Sequence, residues 1–192
     1  MPKSNQRRVA EEAARLMAEG VESEYLYAKQ RAASMLGLSS QTRLPSNAKV
    51  RAGIGQITKE QLGASEVHRR INSMRKIAAH LMLLIEDCDP YLIGSTLSGE
   101  IREGSDIDLH AYCDDYSMLT ERLADYGYEA VEAESVENNK GTFVHLRWRE
   151  EDFPVEITIY PWSSRHIVPI SSVTGKPMKR ADLCALRKLL VH

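Results

Sequence analysis

An α+β fold is what this sequence predicts. Its first third repeats apolar residues at helical spacing, a long helix then carries one unbroken apolar stripe, and from Tyr91 onward the apolar period falls to two. With 192 residues the chain suits one substantial domain, or a domain with a small partner. Hydrophobic residues make up 43% and charged residues 27%, a balance that permits a sizeable core and excludes a disordered chain.

Val9, Ala13, Leu16 and Met17 mark the first helix, which Gly20 stops. A second helix follows Ser23 and runs to about Leu36, with Gly37 as its C-terminal cap. The polar run SSQTRLPSN (39–47) breaks the pattern. Ser46 then caps a short helix that Gly53, Gly55 and Gly63 weaken. Residues 1–64 therefore read as a helical N-terminal extension and 65–192 as the main domain. Ser65 is the expected cap of the long helix. Its stripe, Val67, Ile71, Met74, Ala78, Leu81 and Ile85, steps by 4, 3, 4, 3 and 4 and ends near Asp87, before Pro90.

Tyr91-Leu92-Ile93 is a short strand, Asp106 to Tyr112 a second, and Ser117 to Tyr126 a helix closed by Gly127. Three strands follow with hairpin-like connections: about Tyr128 to Ala133, Thr142 to Trp148 and Phe153 to Tyr160. The turns between them are ENNKG (137–141) and REED (149–152). A short helix from about Asp182 closes the chain.

Residues 1–20 lack the apolar region of a signal peptide, and no run approaches the roughly 20 apolar residues of a membrane span. The three cysteines, Cys88, Cys113 and Cys184, are odd in number and widely spaced, which argues against a disulfide framework or a zinc site. A cytoplasmic location is the expectation. Residues 1–80 carry 14 Lys+Arg against 7 Asp+Glu, a net +7, and residues 81–192 carry −9. The basic residues are scattered, which favours packing between the halves. A polyanion contact through the basic N-terminal half is the alternative.

The stretch GSTLSGEIREGSDIDL (94–109) carries the chemistry. On a strand Asp106 and Asp108 share a face while Ile107 and Leu109 point to the core. At roughly 4 Å and an effective dielectric near 20, two such charges repel by about 4 kcal/mol. Oxygen coordination of Mg²⁺ or Mn²⁺ relieves that repulsion. Alone, a D-x-D pair is more often a solvated strand end. Here Gly94-Ser95 follows a strand directly, offering a tight turn, a hydroxyl and backbone N–H groups for a phosphate. In the run Phe153-Pro-Val-Glu-Ile-Thr-Ile-Tyr160, Glu156 faces away from Val155, Ile157 and Ile159, as a third metal ligand would.

Gly-Ser, ten residues, Asp-x-Asp and a later apolar-Glu-apolar strand together resemble the nucleotidyltransferase superfamily that includes DNA polymerase beta, and most closely its minimal members. The resemblance covers about residues 66–160. It implies a mixed β-sheet flanked by helices. It also implies two divalent ions on Asp106, Asp108 and Glu156, and a nucleoside triphosphate whose phosphates meet Gly94, Ser95, Ser98 and Arg102. The implied reaction is transfer of an NMP, AMP from ATP being the expectation, to a protein, RNA or small-molecule hydroxyl. A binding or regulatory module that has kept the fold but turns over little substrate is the alternative. Metal-dependent glycosyltransferases also use D-x-D, but the Gly-Ser turn and the short chain count against them.

The resemblance departs at one place. Many minimal members read G-S-x-A-R-G, whereas this chain has Ser98 at the arginine position, so one phosphate-facing charge is missing. Arg102, Lys176, Lys179 or Arg180 are the substitutes on offer. His110 shares the aspartate face and reads as a satisfied sheet histidine, with a proton shuttle as the alternative. Trp148 and Trp162 read as core or rim residues before they read as base-stacking rings.

Overall fold

The structure, a computed structural model, describes residues 4–128, 131–138, 141–171 and 173–190. The chain divides into two compact units. The first comprises 1–68 with 100–103 and 170–177, and the second comprises 69–99, 104–169 and 178–192. Among the described residues, no helix is long and apolar enough to cross a membrane.

The first unit is helical. α1 (Asn5–Ala18) starts where the Ser4 hydroxyl accepts the Arg7 N–H at 3.3 Å. α2 (Tyr25–Met35) and α3 (Asn47–Leu62) pack against it around Val9, Ala13, Leu16, Ala32, Val50 and Ile54. α3 is a continuous helix of 16 residues, longer than the short segment its glycines suggest. The reason is packing. A Cβ on Gly53 would lie 2.8 Å from the Ala14 Cβ, so the missing side chain lets α3 approach α1 closely. That contact outweighs the roughly 1 kcal/mol of helix propensity glycine forfeits.

α4 (Ala64–Leu84) begins one residue before the expected Ser65 cap, directly after Gly63, whose φ of 83° ends α3. A 3-10 turn (Glu86–Cys88) follows. In the second unit, β1 (Tyr91–Leu92), α5 (Gly94–Ser98), β2 (Ile107–Tyr112) and α6 (Ser117–Asp125) lead into β3 (Glu132–Asn138), β4 (Gly141–Glu150) and β5 (Phe153–Tyr160). α7 (Leu183–Leu190) closes the chain. β3 lies later than the expected strand 128–133, of which residues 129 and 130 fall outside the described residues, as do 139 and 140 of the turn after it.

The sheet order is β1-β2-β5-β4-β3. β2 and β5 are parallel and the other pairs antiparallel, so the sheet is mixed and the fold is α+β with flanking helices. Strand alternation sorts the residues. Ile107, Leu109, Val155, Ile157 and Leu146 are buried on one face. Asp108 and Glu156, aligned in register, lie on the other. Arg122 of α6 fixes the helical layer: it donates to the Leu84 carbonyl at 3.1 Å and pairs with Asp87.

Candidate active site

β1 delivers the chain to Gly94 with φ +70°, a conformation that L side chains adopt only under strain. A second constraint coincides with it. A Cβ at position 94 would meet Asp108 Oδ2 at 2.2 Å and Asp108 Cγ at 3.1 Å. The turn and the second aspartate therefore touch, and only glycine permits it.

Four side-chain bonds hold the turn. The buried Thr96 hydroxyl donates to the Asp106 carbonyl at 2.9 Å, tying the turn to the start of β2. Arg75 of α4 donates Nε to the Thr96 carbonyl (3.1 Å) and Nη2 to the Leu97 carbonyl (3.0 Å). The Ser98 hydroxyl donates to the Ser95 carbonyl at 3.2 Å. Ser95 Oγ, in the residue after Gly94, is buried and has no hydrogen-bond partner, an orphaned acceptor and donor. Replacing Arg75 by Met is expected to cost about 2–3 kcal/mol of stability, the scale of charge-assisted hydrogen bonds. Urea denaturation would measure it, and an unchanged midpoint would remove Arg75 from the turn's support.

The carboxylates crowd. Asp106 is a hydrogen-bonding and charged neighbour of Asp108. Burial first, then the charges of Asp106 and Glu156, push Asp108 up to about 7. Glu156 lies opposite Asp108 on the neighbouring parallel strand. Its Oε2 accepts from Arg147 Nε at 2.7 Å, and its Oε1 lies 3.1 Å from His145 Nδ1. Arg147 also pairs with Glu134, so an ion-pair row crosses β3, β4 and β5. Among the described residues, no group of three His, Cys, Asp or Glu side chains stands ready to hold a metal ion. The donor set nonetheless suits one. Asp106 and Asp108 offer only carboxylate oxygens, and the raised Asp108 carboxyl shows a repulsion that a divalent cation would relieve.

Farther along the same face, His110 is 4% exposed and its Nδ1 has no partner. Burial and the nearby Arg180 charge lower its pKa to about 4, so it stays neutral at physiological pH. Its ring packs edge-on to Tyr160, which stacks on Tyr112. Arg180 lies 4.2 Å over the Tyr91 ring and donates to the Tyr112 hydroxyl at 3.2 Å. Its position follows from the two backbone bonds between Ala181 and Leu92, which add a bridge beside β1.

Within the second unit the structure thus gathers Gly94, Ser95, Asp106, Asp108 and Glu156, with Ser98 turned back onto its own helix. Arg102 belongs to the first unit, where its Nη1 donates to the Met17 carbonyl at 3.1 Å. Trp148 is buried on the apolar side of the sheet, and Trp162 carries Arg165 over its ring at 4.5 Å. Sequence reasoning missed Arg75 and the Arg147–Glu156 pair. The second was within reach: a two-residue turn at Glu151-Asp152 sets the β4–β5 register and puts position 147 opposite 156.

No family model matches the chain, and no curated protein matches it in sequence. Solved structures overlap part of it. One is the RNA terminal uridylyl transferase Cid1, 19% identical over 47% of this chain with a TM-score of 0.34. Cid1 bound to a UTP analogue is 16% identical over 57% of this chain, with a TM-score of 0.36. A cytoplasmic RNA terminal U-transferase is 19% identical over 59%, with a TM-score of 0.34. The chain covers about a third of each of these proteins, from 30% to 36% of their length.

Proposed function

We propose that this chain is a metal-dependent nucleotidyltransferase, moving an NMP, AMP from ATP in the first instance, onto a hydroxyl of a protein, RNA or small molecule. One observation carries the reading: the Gly94-Ser95 turn, with its orphaned buried hydroxyl, is packed directly against Asp108, the second carboxylate of the Asp106/Asp108 pair. The Ser95 hydroxyl and the turn's N–H groups would take phosphate oxygens. Asp106 and Asp108, with Glu156 beside them, would hold two Mg²⁺ or Mn²⁺ ions. When bound, such ions lower the acceptor's pKa and neutralise the leaving pyrophosphate. Arg75 and Thr96 keep the turn in place while charge shifts. In the transfer, the acceptor oxygen bonds to the α-phosphorus, the bond to the bridging oxygen breaks, and the acceptor proton leaves to a carboxylate or solvent.

A second reading, a binding module with little turnover, draws on two observations. Arg147 engages Glu156, and the Ser98 hydroxyl folds back onto the Ser95 carbonyl where many minimal nucleotidyltransferases extend a guanidinium. Ser98→Arg tests the second of these. It is expected to tighten triphosphate binding about tenfold, the scale of one charge-assisted contact in place of a neutral one. Isothermal titration with a non-hydrolysable triphosphate would measure it, and unchanged affinity would place the phosphates elsewhere.

The decisive assay incubates the protein with cell lysate, Mg²⁺ or Mn²⁺, and each of the four nucleoside triphosphates labelled at the α- or the γ-phosphate. Transfer of α-label, not γ-label, that disappears in the Asp106→Asn/Asp108→Asn variant is the expected result. Label transfer that persists in the variant would sink the assigned site. Absence of transfer with every nucleotide would favour the binding module.

A further inference from the structure

The run His145-Leu-Arg-Trp-Arg149 alternates along β4. Leu146 and Trp148 go to the buried side, and His145, Arg147 and Arg149 share the face that carries Glu156. Register decides what each one meets. His145 stands opposite Thr158 and Arg147 opposite Glu156 on β5. On β3, the edge strand, Glu132 stands opposite Arg147 and Glu134 opposite His145. Diagonal neighbours on such a face lie within reach of a long side chain.

Arg147 uses that reach on both sides at once. Its Nε donates to Glu156 Oε2 at 2.7 Å, and its Nη1 pairs with Glu134 Oε2. The other Glu156 oxygen, Oε1, accepts from the Thr158 hydroxyl at 3.4 Å and lies 3.1 Å from His145 Nδ1. These partners differ in their effect on an arriving cation. A hydroxyl brings no net charge. A guanidinium repels the cation, because it stays charged at any ordinary pH. The Arg147 side chain is 45% exposed and that of Glu134 60%, so the guanidinium can leave Glu156 without crossing a packed core. Its second bond already marks where it would go.

We propose that Arg147 sets the cation affinity of the carboxylate site by acting through Glu156. Before an ion binds, Arg147 occupies Glu156 Oε2. An arriving divalent cation displaces it onto Glu134, with Glu132 beside it on the same strand. Arg147 is a positioning residue in this scheme, and its own charge is the counter-ion that the incoming metal replaces. The proposal rests on the reading of Asp106, Asp108 and Glu156 as ion ligands.

The test titrates the full chain with Mn²⁺ alone and follows unbound Mn²⁺ by electron paramagnetic resonance. Arg147→Gln is expected to tighten Mn²⁺ binding about tenfold, the scale of one charge-assisted contact. Arg147→Lys keeps the charge and should lie closer to the wild type than to Arg147→Gln. Arg149→Gln controls for charge alone. That guanidinium shares the face but meets the Asp152 carbonyl at 2.8 Å. Its loss should change affinity by less than about twofold at about 0.15 M salt, where exposed charges are screened. In a Glu156→Gln background, Arg147→Gln should have no effect. Glu132→Gln/Glu134→Gln leaves Arg147 with Glu156 alone, and should weaken binding only while Arg147 is present. Unchanged or weaker binding in Arg147→Gln would overturn the proposal. So would equal tightening by Arg149→Gln, tightening that survives Glu156→Gln, or no weakening in the β3 double variant. Each of these leaves the ion-site reading standing. Absence of Mn²⁺ binding from the wild type and every variant would instead remove that reading, and this proposal with it.

Discussion

Asp108→Asn is expected to lower nucleotidyl transfer by about 10²–10³-fold, the scale on which loss of one preorganised electrostatic group acts. The same change should stabilise the metal-free chain by roughly 1–2 kcal/mol, as relief of a strained functional site commonly does. The cause lies in the crowding of Asp106, Asp108 and Glu156, which an amide at 108 relieves without changing shape. A pH dependence follows. Asp108 holds its proton up to about 7 in the folded chain, against 3.8 when free. The folded state therefore binds more protons between these values. The stability Asp108 contributes is full below about pH 4 and is lost as pH rises through 7. Thermal melting across that window, without metal, should fall with pH in the wild type and flatten in Asp108→Asn. A wild type whose melting temperature rises through this range on Asp108's account would contradict the crowding.

Gly94→Ala is expected to damage both fold and activity. An L residue at φ +70° costs about 1–2 kcal/mol. Forcing a methyl group against Asp108 Oδ2, with only 2.2 Å available, adds about 1–3 kcal/mol by the scale of overpacked sites. Together these predict a melting temperature lower by roughly 5–15 °C for a chain of this length. Asp108 must move to admit the methyl group, so transfer should fall by at least about tenfold even well below the melting temperature. Gly104→Ala is the control. Its φ is +74°, but nothing lies within 4 Å of the would-be Cβ. It should show the backbone cost alone. Equal losses at 94 and 104 would mean that contact with Asp108 does not matter.

Local patterns were legible. The stripe from Val67 to Ile85 and the alternation from Phe153 to Tyr160 each report one buried face, and both became the expected elements. Glycines misled where their role was tertiary: Gly53 reads as a helix breaker and proves to be the gap that seats α3 on Ala14. At the site, the Gly94-Ser95 turn and the two aspartates are linked by one short connection, so their proximity could be read from spacing. Arg75 could not. It reaches Thr96 and Leu97 from 21 and 22 residues away, and on α4 it looks like any solvated arginine. Arg147 lies between these cases: the two-residue turn at Glu151-Asp152 sets it opposite Glu156.

Asp106, Asp108 and Glu156 are proposed to hold the ions together, beside the Gly94-Ser95 turn. Mn²⁺ binding followed by electron paramagnetic resonance, with a non-hydrolysable nucleoside triphosphate present, tests it most directly. The prediction is two ions per chain in the wild type and loss of both in Asp106→Asn/Asp108→Asn, with Glu156→Gln losing one. Mn²⁺ binding of equal stoichiometry and affinity in the wild type and the double variant would contradict it.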